Sequence, residues 1–238
     1  LTSPATDIYD ALAPHYREYA ARRSAYLAAV DRFVLEGMPA GATSLLDIGA
    51  GDGVRGMALA RQAGVRRVVL CDSSAGMAAR CRTLGADAVW ECPVEDMPAG
   101  TGRFDVILCL WNVLGHLDGA VRRLAALERM RDLVAADGAV FLDVNNRHNA
   151  AAYGWARVAG RMIVDALAPD ERRGDATFEW RMGDSSYPAM GHLFVPGEIE
   201  ALIARAGLVV RSRRAIDYAT GAPSRWALKG QLVYKVGR

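Results

Sequence analysis

The chain has 238 residues, 52% of them apolar, and its 29 basic and 27 acidic side chains leave a formal net charge of +2. That length fits one α/β domain with an insertion and a large buried core, and it offers no strongly basic face: only Lys229 and Lys235 are lysines, and arginines sit beside acids, as in Asp31-Arg32 and Glu128-Arg129. Cys71, Cys81, Cys92 and Cys109 form no CxxC pair, Leu1-Thr2-Ser3-Pro4 has no signal-peptide pattern, and no apolar run reaches the ~20 residues of a membrane span. A cytoplasmic, metal-independent protein without membrane or nucleic-acid partners is expected, as a monomer or homodimer.

Residues 7–36 carry apolar positions at helical spacing, with Pro14 splitting the stretch and Gly37, Pro39 and Gly41 ending it. An alternation then begins. Strands are expected at Ser44–Ile48, Arg67–Cys71, Ala86–Glu91, Phe104–Leu110 and Ala139–Val144. Helices fall between them at Val54–Ala63, Ala75–Leu84 and Gly119–Ala135. Near-continuous apolar strands alternating with helices indicate a parallel sheet covered on both faces. Residues 149–168 read as a helix, and Ala176–Met182 and Ser186–Val195 as two strands of an insertion. Pro196–Ala206 is a helix with Pro at its start and Gly207 past its end. Leu208–Tyr218 and Trp226–Val236 are final strands around a Gly221–Pro223 turn, the last antiparallel to its neighbours.

The chemistry concentrates at Leu45-Leu46-Asp47-Ile48-Gly49-Ala50-Gly51-Asp52-Gly53, a strand running into a glycine loop. Gly49 can take positive φ, and Gly51 lets the backbone approach a ligand. The helix that follows offers free N–H groups. Asp72 ends the second strand, about 20 residues on, where a carboxylate accepts ribose hydroxyl protons. Asp47, just before the loop, would repel a diphosphate and suits a ligand with cationic groups. Gly51–Gly56 also satisfies GxGxxG, a pattern shared with NAD(P)-dependent oxidoreductases.

In this arrangement the chain resembles the class I S-adenosylmethionine-dependent methyltransferases. Four segments carry the resemblance: Asp47-Ile48-Gly49-Ala50-Gly51-Asp52-Gly53; Asp72 in Leu70-Cys71-Asp72-Ser73-Ser74; Pro93-Val94-Glu95-Asp96-Met97-Pro98; and Phe104-Asp105-Val106-Ile107 running through Leu110-Trp111-Asn112. Phe194–Ile199 and Ala206-Gly207-Leu208 match as well. The resemblance covers most of 44–145 and 192–236. It implies a Rossmann-like, doubly wound α/β sheet of seven strands with the last antiparallel. Residues 1–238 would form one methyltransferase domain, with 1–40 as a helical cap and 147–191 as a lid.

It also implies S-adenosylmethionine as cofactor, held by Asp47, Gly49, Ala50, Gly51, Asp72, Ser73 and Met77, with Val94, Glu95 and Leu110. Relatives often carry Asp where this chain has Pro93, so the adenine contact passes to Val94, Glu95 or Asp96. Tyr16, in Ala13-Pro14-His15-Tyr16, is expected near the methionine carboxylate, with Arg22 or Arg23 as its ion-pair partner. Trp111, Asn112, Asn145, Tyr187 and His192 are substrate candidates. His116 is the first candidate for a general base and His148 the second. The implied reaction is methyl transfer to an oxygen, nitrogen or carbon of a small molecule. The alternatives are an RNA- or protein-directed methyltransferase and, from the GxGxxG match, an NAD(P)-dependent oxidoreductase.

Overall fold

The computed structural model of the chain describes residues 4–98, 100, 102–182 and 185–238. Helices α1 (Pro4–Leu12), α2 (Tyr16–Ala21) and α3 (Ser24–Gly37) come first. A short 3-10 turn at Ala13–His15 parts α1 from α2, since Pro14 has no N–H with which to continue an α-helix. Then follow β1 (Ser44–Ile48), α4 (Val54–Ala63), β2 (Arg67–Cys71), α5 (Ala75–Cys81), β3 (Ala88–Trp90), β4 (Phe104–Cys109), α6 (Gly119–Leu133) and β5 (Val134–Val144). The expected helix over 149–168 is two helices, α7 (Ala150–Tyr153) and α8 (Trp155–Leu167), because Gly154 between them takes φ 82°. The insertion closes with the hairpin strands β6 (Asp175–Met182) and β7 (Ser185–His192), and the chain ends with α9 (Pro196–Arg205), β8 (Val209–Ile216), β9 (Pro223–Ser224) and β10 (Gln231–Gly237).

The main sheet has the order β3-β2-β1-β4-β5-β10-β8-β9. β1 to β5 pair in parallel, and β10 runs antiparallel between β5 and β8. The sheet therefore has eight strands rather than seven. The extra one is β9, two residues that pair with Ala215 and Ile216 at the edge. β5 also begins earlier than its apolar run suggests: Phe104 pairs with Val134, and the register then jumps so that Val106 faces Ala139. Residues 135–138 bulge out between these points, at the amino end of a strand that lies between β4 and β10.

Strand alternation sends side chains to two cores. Leu46, Ile48, Val69, Ile107 and Val140 face one layer with Leu127 and Met130 of α6 and Ile199 and Leu202 of α9. Leu45, Val68, Leu70, Val106 and Phe141 face the other with Tyr26, Val30 and Val34 of α3 and Leu59 of α4. Each buried Leu, Ile or Val stabilises by about 1.5–3 kcal/mol, so both layers fix the strand ends firmly. β1 sits between β2 and β4, which puts the topological switch point at the carboxyl ends of β1 and β4. Among the described residues, no helix is long and apolar enough to cross a membrane.

Candidate functional site

The glycine loop leaves β1 at the switch point. Gly49 and Gly51 have φ of +65° and +58°, a left-handed conformation costly for other residues. A Cβ on Gly51 would lie 2.6 Å from the Tyr16 hydroxyl, so loop and N-terminal helices are in close contact. Ala50 N–H donates to the Cys71 carbonyl at 3.0 Å, tying the loop to the end of β2. Gly51 N–H donates to Asp72 Oδ2 at 2.8 Å and Ser74 N–H to Oδ1 at 2.9 Å, which fixes the Asp72 carboxylate toward the loop. Burial raises the Asp72 carboxyl to about 6, against those two hydrogen bonds, which favour the charged form.

Asp47 is 6% exposed and ends β1 beneath the loop. Burial raises it to about 7, opposed by the nearby Arg55 guanidinium. Asp72, Gly49, Gly51, Ser73, Val94 and Leu110 line one cavity of about 460 Å³, a size suited to a nucleoside-sized ligand. Asp47 and Ala50 line a small cavity of about 30 Å³ on the loop's other side. Met77 is fully buried below, packed with Leu12 and Ala13 of the N-terminal segment. Glu95 is not among the residues that line the large cavity; its Oε1 accepts at 2.7 Å from Nε of Arg122, which does line it.

The loop after β4 is held in an unusual shape. Trp111 and Asn112 have φ of 65° and 62°, which side-chain-bearing residues rarely adopt. Asp143, at the end of β5, supplies the restraint. Its Oδ1 accepts from Trp111 N–H, its carbonyl accepts from Asn112 N–H at 3.2 Å, and its Oδ2 accepts from the Tyr26 hydroxyl at 2.5 Å. Asn112 Oδ1 in turn accepts from Asn145 N–H at 2.9 Å. The clamp presents the Trp111 ring, stacked on Tyr19 at 5.4 Å and 21°, with its indole N–H donating to Tyr218 Oη at 3.2 Å.

Beyond Trp111 a second cavity of about 260 Å³ opens, bounded by Asn112, Asn145, Phe178, Tyr218 and Arg23. Tyr9, Tyr16, Trp111 and His116 line both large cavities. His116 contacts a partner through each ring nitrogen. Nδ1 lies 3.1 Å from the Met190 carbonyl, which only accepts, so Nδ1 carries the proton. Nε2 is then the acceptor, 3.1 Å from the Tyr9 hydroxyl. Burial lowers the His116 pKa below its usual 6.5, leaving the ring neutral at pH 7. Burial, foremost, also raises the Tyr9 hydroxyl well above 10.

The fold does not bring every sequence-derived candidate here. His192 is fully buried, bonded to Asp175 Oδ1 and Glu198 Oε1 at 2.7 Å each, and ties the root of the hairpin to α9. His148 Nε2 sits 2.9 Å from Asp165 Oδ2 of α8, which is also paired with Arg147. Neither histidine lines the cavities around His116. Arg22 pairs with Glu18. The Tyr187 side chain lies outside the described residues. In the other direction, Tyr9 as partner of His116, Tyr153, Phe178, Tyr218 and the Asp143 clamp carry no sequence signal, because each is defined by a contact between separate elements or by a wall of an assembled cavity.

Residues 45–138 match the family model described as methyltransferase domain. A stretch of 142 residues is 33% identical to a Streptomyces fradiae protein, dTDP-3-amino-3,6-dideoxy-alpha-D-glucopyranose N,N-dimethyltransferase, and covers 57% of this chain and 54% of that one. The match thus spans about half the length of that relative. Two solved structures are similar in fold. One is the putative methyltransferase in complex with the Haloferax volcanii Trm112 activator, with TM-score 0.68, 17% identity, and 98% and 96% of the two chains covered. The other is S-adenosylmethionine-bound CalS10, an amino pentose methyltransferase from Micromonospora echinaspora, with TM-score 0.60, 17% identity, and 92% and 96% covered. Residues 45–138 are thus similar to a methyltransferase domain, on a chain that shares its fold with solved S-adenosylmethionine-dependent methyltransferases.

Proposed function

We propose that the protein transfers a methyl group from S-adenosylmethionine to a nucleophilic atom of a small molecule. The observation that carries this reading is the junction of the two cavities, one over the glycine loop and one beyond Trp111, at Tyr9, Tyr16, Trp111 and His116. The donor set suits an adenosyl ligand: a fixed carboxylate at the end of β2, a loop whose backbone closes over it, and apolar walls from Val94 and Leu110. Asp72 would hold the ribose, Gly49 and Gly51 would face the amino-acid tail, and Val94 would flank the adenine. When bound, the cofactor supplies the methyl group on an already activated sulfonium.

The task left to the protein is orientation and proton removal. Tyr9 and His116 are arranged for the second. Neutral His116 accepts from the Tyr9 hydroxyl, so a nucleophile bonded to Tyr9 Oη can lose its proton to that oxygen as Tyr9 passes its own to Nε2. The Nδ1–H bond to Met190 O then stabilises the imidazolium that forms. Residues 1–40 act as a cap over the junction, and 147–191 as a lid whose strand β7 supplies that carbonyl. The names of the Streptomyces fradiae relative and of CalS10 favour an amine nitrogen as the acceptor atom.

The test is calorimetry with S-adenosylhomocysteine and with NADH, followed by transfer of labelled methyl to dTDP-linked amino sugars, other small amines and alcohols, and bulk tRNA. Homocysteine-product binding with label on a small molecule is expected. Binding of NADH alone, or label only on tRNA, would sink the reading.

A further inference from the structure

The cavity beyond Trp111 has an electrostatic asymmetry. No Asp or Glu is among the described residues that line it, and His116 is neutral, which leaves Arg23 as its one formal charge. Arg23 is half-buried at the start of α3, with its guanidinium 4.6 Å from the centre of the Tyr218 ring. No described carboxylate pairs with it. The neighbouring arginines differ: Arg17 pairs with Asp52 at 3.0 Å and Arg22 with Glu18 at 2.7 Å. A partly desolvated cation without a counter-ion is costly, and the cost is recovered when an anion arrives. The guanidinium lies over an aromatic ring, and its fork of N–H donors matches a carboxylate or a phosphate.

Resting on the methyl-transfer reading, we propose that the methyl acceptor carries an oxyanion, a carboxylate or a phosphate, which Arg23 holds while the body of the acceptor lies against Trp111 and Tyr218. Arg23 does not line the cavity over the glycine loop, where the cation is Arg122, itself paired with Glu95. Its charge therefore serves the acceptor side. The aromatic wall adds shape selection: the Trp111 ring is fixed by its stack on Tyr19 and its bond to Tyr218. The anion thus anchors one end of the acceptor, and the end reaching Tyr9 and His116 is the one that is methylated.

The assignment is tested by titrating protein saturated with S-adenosylhomocysteine with 4-hydroxybenzoate, phenyl phosphate, dTDP and the neutral 4-hydroxybenzamide, following heat and Trp fluorescence. At least one oxyanion should bind, with the neutral amide tenfold or more weaker. Arg23→Met should weaken the oxyanion at least tenfold and leave S-adenosylhomocysteine affinity within threefold, and Arg23→Lys should recover part of the loss. The ranking of benzoate against the phosphates names the source of the anion. Binding of no oxyanion, equal binding of the amide, or an Arg23→Met variant with unchanged oxyanion affinity overturns the assignment alone. A tenfold loss of S-adenosylhomocysteine affinity in Arg23→Met overturns it by returning Arg23 to the cofactor. Failure of S-adenosylhomocysteine to bind the native protein brings down the methyl-transfer reading and this assignment together.

Discussion

The two cavities that meet at His116 are built in opposite ways. The one over the glycine loop is built mainly from four short runs at the carboxyl ends of parallel strands, joined by Tyr9, Tyr16 and Arg122, and backbone donors tie those runs together: Ala50 N–H to Cys71 O, Gly51 N–H to Asp72, Ser74 N–H to Asp72. The one beyond Trp111 draws on α1, α2, the β4 loop, α7, the hairpin and the chain after β8, and side-chain hydrogen bonds join such segments, as in Tyr9 with His116, Trp111 with Tyr218 and Asn145 N–H with Asn112. A site made from backbone at strand ends is specified locally and tolerates change around it. A site made from side chains of distant segments can change what it holds through a few substitutions without disturbing the other cavity.

That contrast can be broken by substitution. The largest effect is expected at Gly51, where φ is +58° and a Cβ would press on Tyr16: Gly51→Val should weaken S-adenosylhomocysteine by more than about 100-fold, since strain of ~1–3 kcal/mol adds to the steric block. Calorimetry checks this, and near-native affinity would mean the loop does not contact the ligand. His116→Ala comes next, with turnover down by about 10²-fold or more if proton removal passes through it and homocysteine-product affinity within threefold. Equal losses in both would merge the two cavities into one functional unit.

Asp72→Ala should weaken S-adenosylhomocysteine by roughly 10- to 100-fold, the worth of a charge-assisted hydrogen bond at ~1.5–3 kcal/mol, with the oxyanion probes unaffected when the cofactor site is saturated. The smallest effect is a pH dependence. The carboxylate of Asp72 is the form that accepts ribose hydroxyls, and its folded pKa is about 6. Affinity should therefore hold above pH 7 and fall as pH drops through 6, by about tenfold at pH 5. Asp72→Asn should flatten the profile. An unchanged slope in that variant would assign the titration to another group, with Asp47, at about 7, the first to examine.

Much of the cavity over the glycine loop was legible in the sequence. Strand–loop–helix punctuation around Gly49 and Gly51, and an acid at the end of the second strand, are local patterns, and local hydrogen bonding enforces them. The cavity beyond Trp111 was legible only in part. His116, Trp111, Asn112 and Asn145 stand on loops that leave the sheet at its carboxyl edge, so the predicted strands together with the family resemblance put them near the site. His148 and His192 stand on equally promising segments, yet each is drawn into its own ion-pair cluster, with Asp165 and with Asp175 and Glu198. No spacing rule distinguishes a histidine that finds a carboxylate from one that finds a tyrosine.

The sequence by itself determined the doubly wound sheet, the glycine loop and its two acids, because apolar periodicity and backbone conformation act over a few residues. Only the tertiary structure decided that Tyr9 meets His116 across 107 positions, that Asp143 holds Trp111 and Asn112 in a left-handed turn, and that Arg23 lines the cavity beyond Trp111 with no described carboxylate paired to it. Those facts depend on how the N-terminal helices and the hairpin dock over the finished sheet. Side-chain packing sets that docking, and it is not written in any one segment.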